Sequence, residues 1–138
     1  MSGKRIELDG NNEESGGQQF VTGRGLYADG NSRIHRIESH GFASSPVKGA
    51  KALLLSPNGN PDEAYVIGGE HQAHRPSDLP GGGTAIYDAS GNIISLVGTK
   101  IRIVAPLLEL VGNLEVDGNI HASGTIIDEL GNTNHHSH

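Results

Sequence analysis

The residues best suited to bind a ligand gather at the end of this chain. Asn132-Thr133-Asn134-His135-His136-Ser137-His138 holds three of its eight histidines. In an extended segment, side chains two positions apart point the same way, so His136 and His138 share a face. Two imidazoles from one chain make a weak site. Three chains on a common axis would offer six ring nitrogens, and an octahedral nitrogen cage suits Fe(II), Ni(II) or Co(II) better than Zn(II), which prefers four ligands. The plainer reading is a His-rich end or an affinity tag, although Ser137 interrupts the unbroken run a tag normally has. The same axis would triple Asp117, Asp128 and Glu129 into an oxygen cage for calcium. Solvated carboxylates are the simpler account of those three.

No other constellation supports chemistry. Gly23-Arg24-Gly25-Leu26-Tyr27-Ala28 spells a dinucleotide-binding string, but that string has meaning only between a strand and a helix, and Asp29-Gly30-Asn31 breaks any helix. Asp9-Gly10-Asn11-Asn12-Glu13 opens like a calcium loop and lacks the glycine at its sixth position. A nucleophile elbow, a phosphate loop and an H-E-x-x-H pair are all missing from the sequence. His35, His40, His71 and His74 have no nucleophile to activate and read as structural or solvated. The chain is therefore expected not to be an enzyme.

Stepping outward, the strongest pattern is the one leading to those histidines. From Leu108 every even position is apolar, Ala or Gly: Leu108, Leu110, Gly112, Leu114, Val116, Gly118, Ile120, Ala122, Gly124 and Ile126. The odd positions are mostly polar, with Val111 the exception and His121 in an outward slot. Alternation of this length marks extended chain with one buried face. A six-residue repeat lies over it, Leu-Glu-Leu-Val-Gly-Asn, Leu-Glu-Val-Asp-Gly-Asn, Ile-His-Ala-Ser-Gly-Thr, with Gly112, Gly118 and Gly124 in one slot. Fixed-glycine hexads indicate β-helical stacking, yet a left-handed single-chain coil consumes about three hexads, and a stack needs roughly three units or more. One chain cannot close this core. Three could, with Leu108, Leu110, Leu114, Val116, Ile120, Ala122 and Ile126 meeting at the axis of a homotrimer. The alternative is an ordinary hairpin pair packed on the preceding domain.

Upstream, short strands alternate with turn chemistry. Arg33–Ser39, Ala50–Leu55, Ala64–Gly69, Thr84–Tyr87 and Ile93–Val97 are separated by Pro-, Gly- and Asn-rich reversals. With 34% hydrophobic residues, 4% aromatics, 21 glycines and no cysteine or tryptophan, a turn-rich all-β protein fits and a disulfide-stapled module does not. The expected organisation is a loosely attached leader over 1–19, a small β-barrel or sandwich over 20–92, the trimeric prism over 93–130 and the histidine apex over 131–138. Net charge is −6, and every Lys and Arg lies at or before Arg102, so no basic face exists to displace phosphate counterions. Nucleic acid is not an expected partner. No apolar run approaches the roughly 18 residues that span a bilayer, and the sequence opens without a signal peptide.

The stretches His40-Gly41-Phe42-Ala43-Ser44-Ser45-Pro46-Val47-Lys48-Gly49-Ala50-Lys51-Ala52, Val66-Ile67-Gly68-Gly69-Glu70-His71, Arg75-Pro76 and Gly83-Thr84-Ala85-Ile86-Tyr87-Asp88 resemble the Mu-like branch of the phage baseplate assembly protein V family. These are central tail spikes of contractile-tailed phages, and the similarity spans about residues 20–138. The resemblance implies an OB-fold-like barrel followed by a homotrimeric intertwined β-helix or prism with a metal-capped apex. Its His-x-His iron site falls on His136 and His138, giving one iron per trimer. It further implies a virion protein made in the host cytoplasm and carried at the distal tip of the tail baseplate. The implied partners are the baseplate hub and other tail proteins, and the implied target is the host outer membrane, punctured mechanically as the tail contracts. The family's barrel usually opens with more sequence than 1–19 offers, which puts its first strand in question. The lysozyme-like insertion of some larger relatives is not in the sequence. Two other readings remain at this level: a trimeric hexapeptide-repeat acyltransferase fragment, with His121 its one candidate base, and a glycan-binding tail-fibre tip.

Overall fold

The computed structural model describes residues 2–25 and 30–129. Six strands build the first sheet: β1 (Ser2–Leu8), β2 (Glu13–Ser15), β3 (Gln18–Arg24), β4 (Gly30–Arg36), β5 (Lys51–Ser56) and β6 (Tyr65–Glu70). Their order is β1-β5-β6-β4-β3-β2, and a further β1–β3 pairing closes five of them into a barrel. All pairings are antiparallel except β4 with β6, where His35 faces Tyr65 and Arg36 faces Val66 in parallel register. A closed five-stranded barrel with this connectivity is OB-like. The chain is all-β, with no α-helix among the described residues.

Period-2 patterning builds the barrel interior. Ile6 and Leu8 of β1, Val21 of β3, Ile34 of β4, Ala52 and Leu54 of β5 and Val66 of β6 turn inward, joined by Ala50. No aromatic ring is among these buried side chains. A barrel of this size has room for aliphatic side chains only as wide as its shear allows. Closure depends on Gly23, which pairs with Leu8 across the β1–β3 seam. A Cβ there would lie 2.9 Å from the Glu7 carbonyl oxygen, so the seam shuts only around a glycine. β2 and β3 meet in a two-residue Gly16-Gly17 turn with φ of 61° and 79°, the geometry that matches strand twist.

One buried cation pins the long β4–β5 connection. The Arg36 guanidinium donates from Nε to the Gly68 carbonyl at 2.7 Å, and from Nη1 to Gln19 Oε1 at 2.9 Å and the Ser44 carbonyl at 3.2 Å. It also pairs with Glu38 at 2.6 Å. Burial alone would raise the Glu38 pKa, but the Ser44 hydroxyl and amide, together with Arg36, hold it below the ordinary glutamate value.

A second, three-stranded sheet follows: β7 (Thr84–Tyr87), β8 (Ile93–Val97) and β9 (Lys100–Val104), an antiparallel meander. Its first turn is organised by Asp88, whose carboxylate accepts from the Ser90 amide (2.9 Å), the Asn92 amide (3.0 Å) and Asn92 Nδ2 (2.7 Å). The Asn92 side-chain bond is the main reason the Asp88 pKa lies below the usual aspartate value. Both sheets belong to one compact unit, Met1–Pro106, and Leu107–His138 forms another.

Several boundaries differ from the sequence reading. Residues 1–19 are not a loose leader: Ser2–Leu8 supplies a barrel strand whose Ile6 and Leu8 sit in the core. Its apolar content was too sparse to register, because a barrel strand with one wet face needs only alternate apolar residues. The 20–92 and 93–130 limits shift for a related reason. The barrel strands run from Ser2 to Glu70, while β8 and β9 pair with β7 in one sheet across residue 92. The five expected strands all appear, displaced by at most three residues. β3 carries a buried Gln19 at its first inward position, a polar residue that breaks the pattern. The dinucleotide-like string starts inside β3, and Gly30 begins β4.

Candidate functional site

Residues 107–129 show what the chain leaves incomplete. None of them lies in a strand or a helix. The alternating set stands open: Leu108, Leu110, Leu114, Val116, Ile120 and Ile126 are between 44% and 71% exposed, and Ala122 is exposed as well. The odd-position apolar residues Leu107, Val111 and Ile127 are more exposed still. Soluble chains leave single apolar side chains in water routinely, but a run of this kind marks an interaction surface. Burying a Leu, Ile or Val side chain is worth about 1.5–3 kcal/mol, so the six larger even-position residues represent on the order of 10 kcal/mol per chain not realised within one chain.

Backbone geometry repeats with the sequence. Gly112 and Gly118, one hexad apart, have φ of 131° and 144°, a region that side-chain-bearing residues avoid. A Cβ at either glycine would meet nothing within 4 Å in its own chain, so conformation and not crowding inside the chain calls for glycine there. Gly124, in the same slot of the third hexad, lacks this positive φ.

A second unsatisfied surface was not anticipated from the sequence. The register of the three-stranded sheet aligns Ile86, Ile94 and Ile103 in one row, and Leu96 with Ile101 in the next. These five aliphatic residues share one face and are 39% to 69% exposed. The signal was available in the alternation of Ile94 with Leu96 and of Ile101 with Ile103.

The expected metal ligands fare differently. His136 and His138 lie outside the described residues. Among those residues, no cluster of three or more His, Cys, Asp or Glu side chains is placed to hold a metal. Asp117 is exposed and Asp128 is half-buried. His121 is exposed within the repeat. No described helix is long and apolar enough to cross a membrane.

Among the described residues, then, an OB-like barrel is followed by an apolar repeat that stays exposed. Residues 11–73, covering most of that barrel, match the family model for the N-terminal domain of bacteriophage Mu Gp45. The match covers under half of the chain and supports a likeness to Mu-like phage baseplate or tail proteins over that stretch. It speaks for a structural role rather than a catalytic one. No curated protein matches the chain.

Proposed function

We propose that this protein is the homotrimeric central spike of a phage tail baseplate, and that it breaches the host outer membrane mechanically during tail contraction. The reading rests above all on the exposed even-position aliphatics of 107–129. Three copies winding around one axis would bury this set against itself and supply backbone partners along the whole repeat, leaving no long free edge. Extended chain advances about 3.3 Å per residue, so Leu108 to Ile126 would reach up to roughly 60 Å if it ran along the axis. Such a needle carries axial load because no chain can peel away without opening the core it shares with two others. The barrel, matched by the Mu-like family model, would seat the needle on the baseplate hub.

His136 and His138 would close the apex. Two imidazoles per chain, tripled, fit the octahedral nitrogen preference of Fe(II), and a bound ion would tie down three chain ends that otherwise fray. The Lys- and Arg-free segment after Arg102 would not adhere to anionic lipid head groups during passage. Sedimentation equilibrium combined with elemental analysis of the purified full chain tests both levels. The expected result is a species of three 14.4 kDa chains carrying one equivalent of iron. A folded, stable single chain would remove the spike reading.

A further inference from the structure

The barrel spends its aromatic residues in an unusual place. The chain has two Phe, three Tyr and no Trp, and among the described residues no aromatic ring enters the barrel core. Instead, three neighbouring strands place Phe20, His35 and Tyr65 side by side on the outer surface, following the β3–β4 and β4–β6 registers. Consecutive ring centroids are 5.8 Å and 5.7 Å apart. Phe20 and His35 are half-buried, while Tyr65 is exposed.

A bulge directs a cation onto this row. The β3–β4 pairing slips between Val21↔Ile34 and Gly23↔Asn31, leaving an extra residue on β4. Within that bulge Arg33 has φ of 53°, a left-handed conformation that a non-glycine side chain adopts only when its surroundings hold it there. Bulges re-aim side chains. Here the guanidinium carbon lies 4.2 Å from the centre of the Phe20 ring, and Nε is 3.3 Å from Glu13 Oε2. Beside them is a cleft of about 390 Å³ whose walls include Asn11, Glu13, Phe20, Thr22, Ser32 and Arg33. Amides, hydroxyls, a carboxylate and a guanidinium therefore ring the edge of an aromatic row. The cleft is formed by the β1–β2 loop and the faces of β3 and β4, which correspond to the first loop and the second and third strands of an OB-fold, the surface on which such barrels take extended oligomeric ligands.

We propose that this cleft and the adjoining Phe20–His35–Tyr65 row bind a neutral oligosaccharide. Sugar rings offer C–H faces to aromatic rings and hydroxyls to amides and carboxylates, which is the mixture present. A nucleic-acid strand offers aromatic faces too, but its phosphates would meet the carboxylate of Glu13, and Arg33 is already paired to it. The site does not depend on assembly of the repeat.

The test is an array of free neutral, amino-sugar and uronic-acid oligosaccharides, with oligothymidylate as the strand control. Titration calorimetry of the full chain then follows on the strongest ligand, given both free and as lipopolysaccharide vesicles. A neutral oligosaccharide should bind in free form and bind better than oligothymidylate. Tyr65→Ala and Arg33→Gly should each weaken it by about tenfold. Glycine accepts the left-handed backbone at position 33, so Arg33→Gly should keep its thermal midpoint near that of the parent, and lost binding would then report the missing guanidinium. Absence of any neutral-saccharide binding, stronger binding of oligothymidylate, binding only to vesicles, or unchanged affinity in both variants would each overturn the proposal. The sedimentation mass measured alongside keeps that outcome separate from the fate of the trimer.

Discussion

Leu114→Asp separates the trimer from every single-chain account. In one chain Leu114 is 71% exposed and sits in a segment without strand pairing. A surface substitution in such a place changes stability by no more than about 0.5 kcal/mol. If Leu114 instead faces a threefold axis, the variant puts three carboxylates together in an apolar core. Each ionised group then costs several kcal/mol after relaxation, with mutual repulsion added, and the loss is counted three times per assembly. Leu114→Ala provides the graded version, at about 2–5 kcal/mol per buried leucine. The assay is sedimentation mass and thermal melting across a hundredfold range of protein concentration, since the midpoint of an assembly depends on concentration and that of a monomer does not. The expected outcome is a trimeric parent, a weakened trimer for Leu114→Ala and dissociated chains for Leu114→Asp, with the barrel still folded by circular dichroism. A Leu114→Asp protein of unchanged mass and midpoint would refute the reasoning.

Gly23→Val should open the β1–β3 seam, because its Cβ would crowd the Glu7 carbonyl at 2.9 Å; a loss of at least about 2 kcal/mol in denaturant unfolding is expected, and unchanged unfolding would contradict the closure argument. Glu38 has a folded-state pKa below its ordinary value, so it contributes stability that is present above the unfolded pKa and lost as pH falls through the folded one. Glu38→Gln should therefore flatten the acid side of the stability profile and cost on the order of 1–3 kcal/mol near neutrality, since the buried Arg36 loses its counter-charge; parallel acid limbs for the two proteins would count against it. On the proposed spike reading, the double variant His136→Ala/His138→Ala should lose bound iron by elemental analysis yet keep the trimer mass, because the proposed shared core lies upstream of these histidines. Iron occupancy in the parent should decline below about pH 6.5, where imidazole protonates.

How much of this could be read in the sequence depended on which faces of each element are wet. β5, β6, β7 and β8 were legible because short runs holding Leu, Val, Ile or Tyr sit between Pro-, Gly- and Asn-rich turns. β1 was not, because Lys4, Arg5 and Glu7 surround Ile6, and the Ile6/Leu8 alternation covers a single short strand. β3 was missed because its inward row is Gln19, Val21 and Gly23: the glutamine accepts from Arg36 and the glycine makes room for a neighbouring strand, so neither is there for hydrophobicity. Tertiary contacts assign those two residues, and a local pattern does not contain them. Arg36 and Glu38 were equally silent, since nothing local distinguishes a buried arginine with a half-buried counter-ion from two solvated charges. The repeat was the reverse case. Its alternation was visible from Leu108 to Ile126, and the structure adds that these side chains stay exposed among the described residues. The aromatic row on the barrel stayed hidden because Phe20, His35 and Tyr65 are remote in sequence and meet only through strand register.

The two halves of the chain solve the packing problem by different routes, and the contrast bears on function. The barrel closes on itself: eight buried apolar residues, a glycine at the seam and a buried arginine strapping down the long loop leave it complete as a single copy. The repeat has nine large exposed aliphatics between Leu107 and Ile127 and no interior of its own. The outer face of β7–β9, with Ile86, Ile94, Leu96, Ile101 and Ile103, is similarly unspent, and it directly precedes the repeat in the chain. Apolar surface left open over consecutive elements is an aggregation hazard unless something covers it. A self-contained module followed by a continuous deficit is what a chain needs if it must fold alone at one end and share its interior at the other. A trimer would have the β7–β9 face as a second open surface to cover. Ile101→Glu, on a residue 69% exposed in one chain, should then lower the thermal midpoint of the assembly while leaving the barrel's own unfolding unchanged.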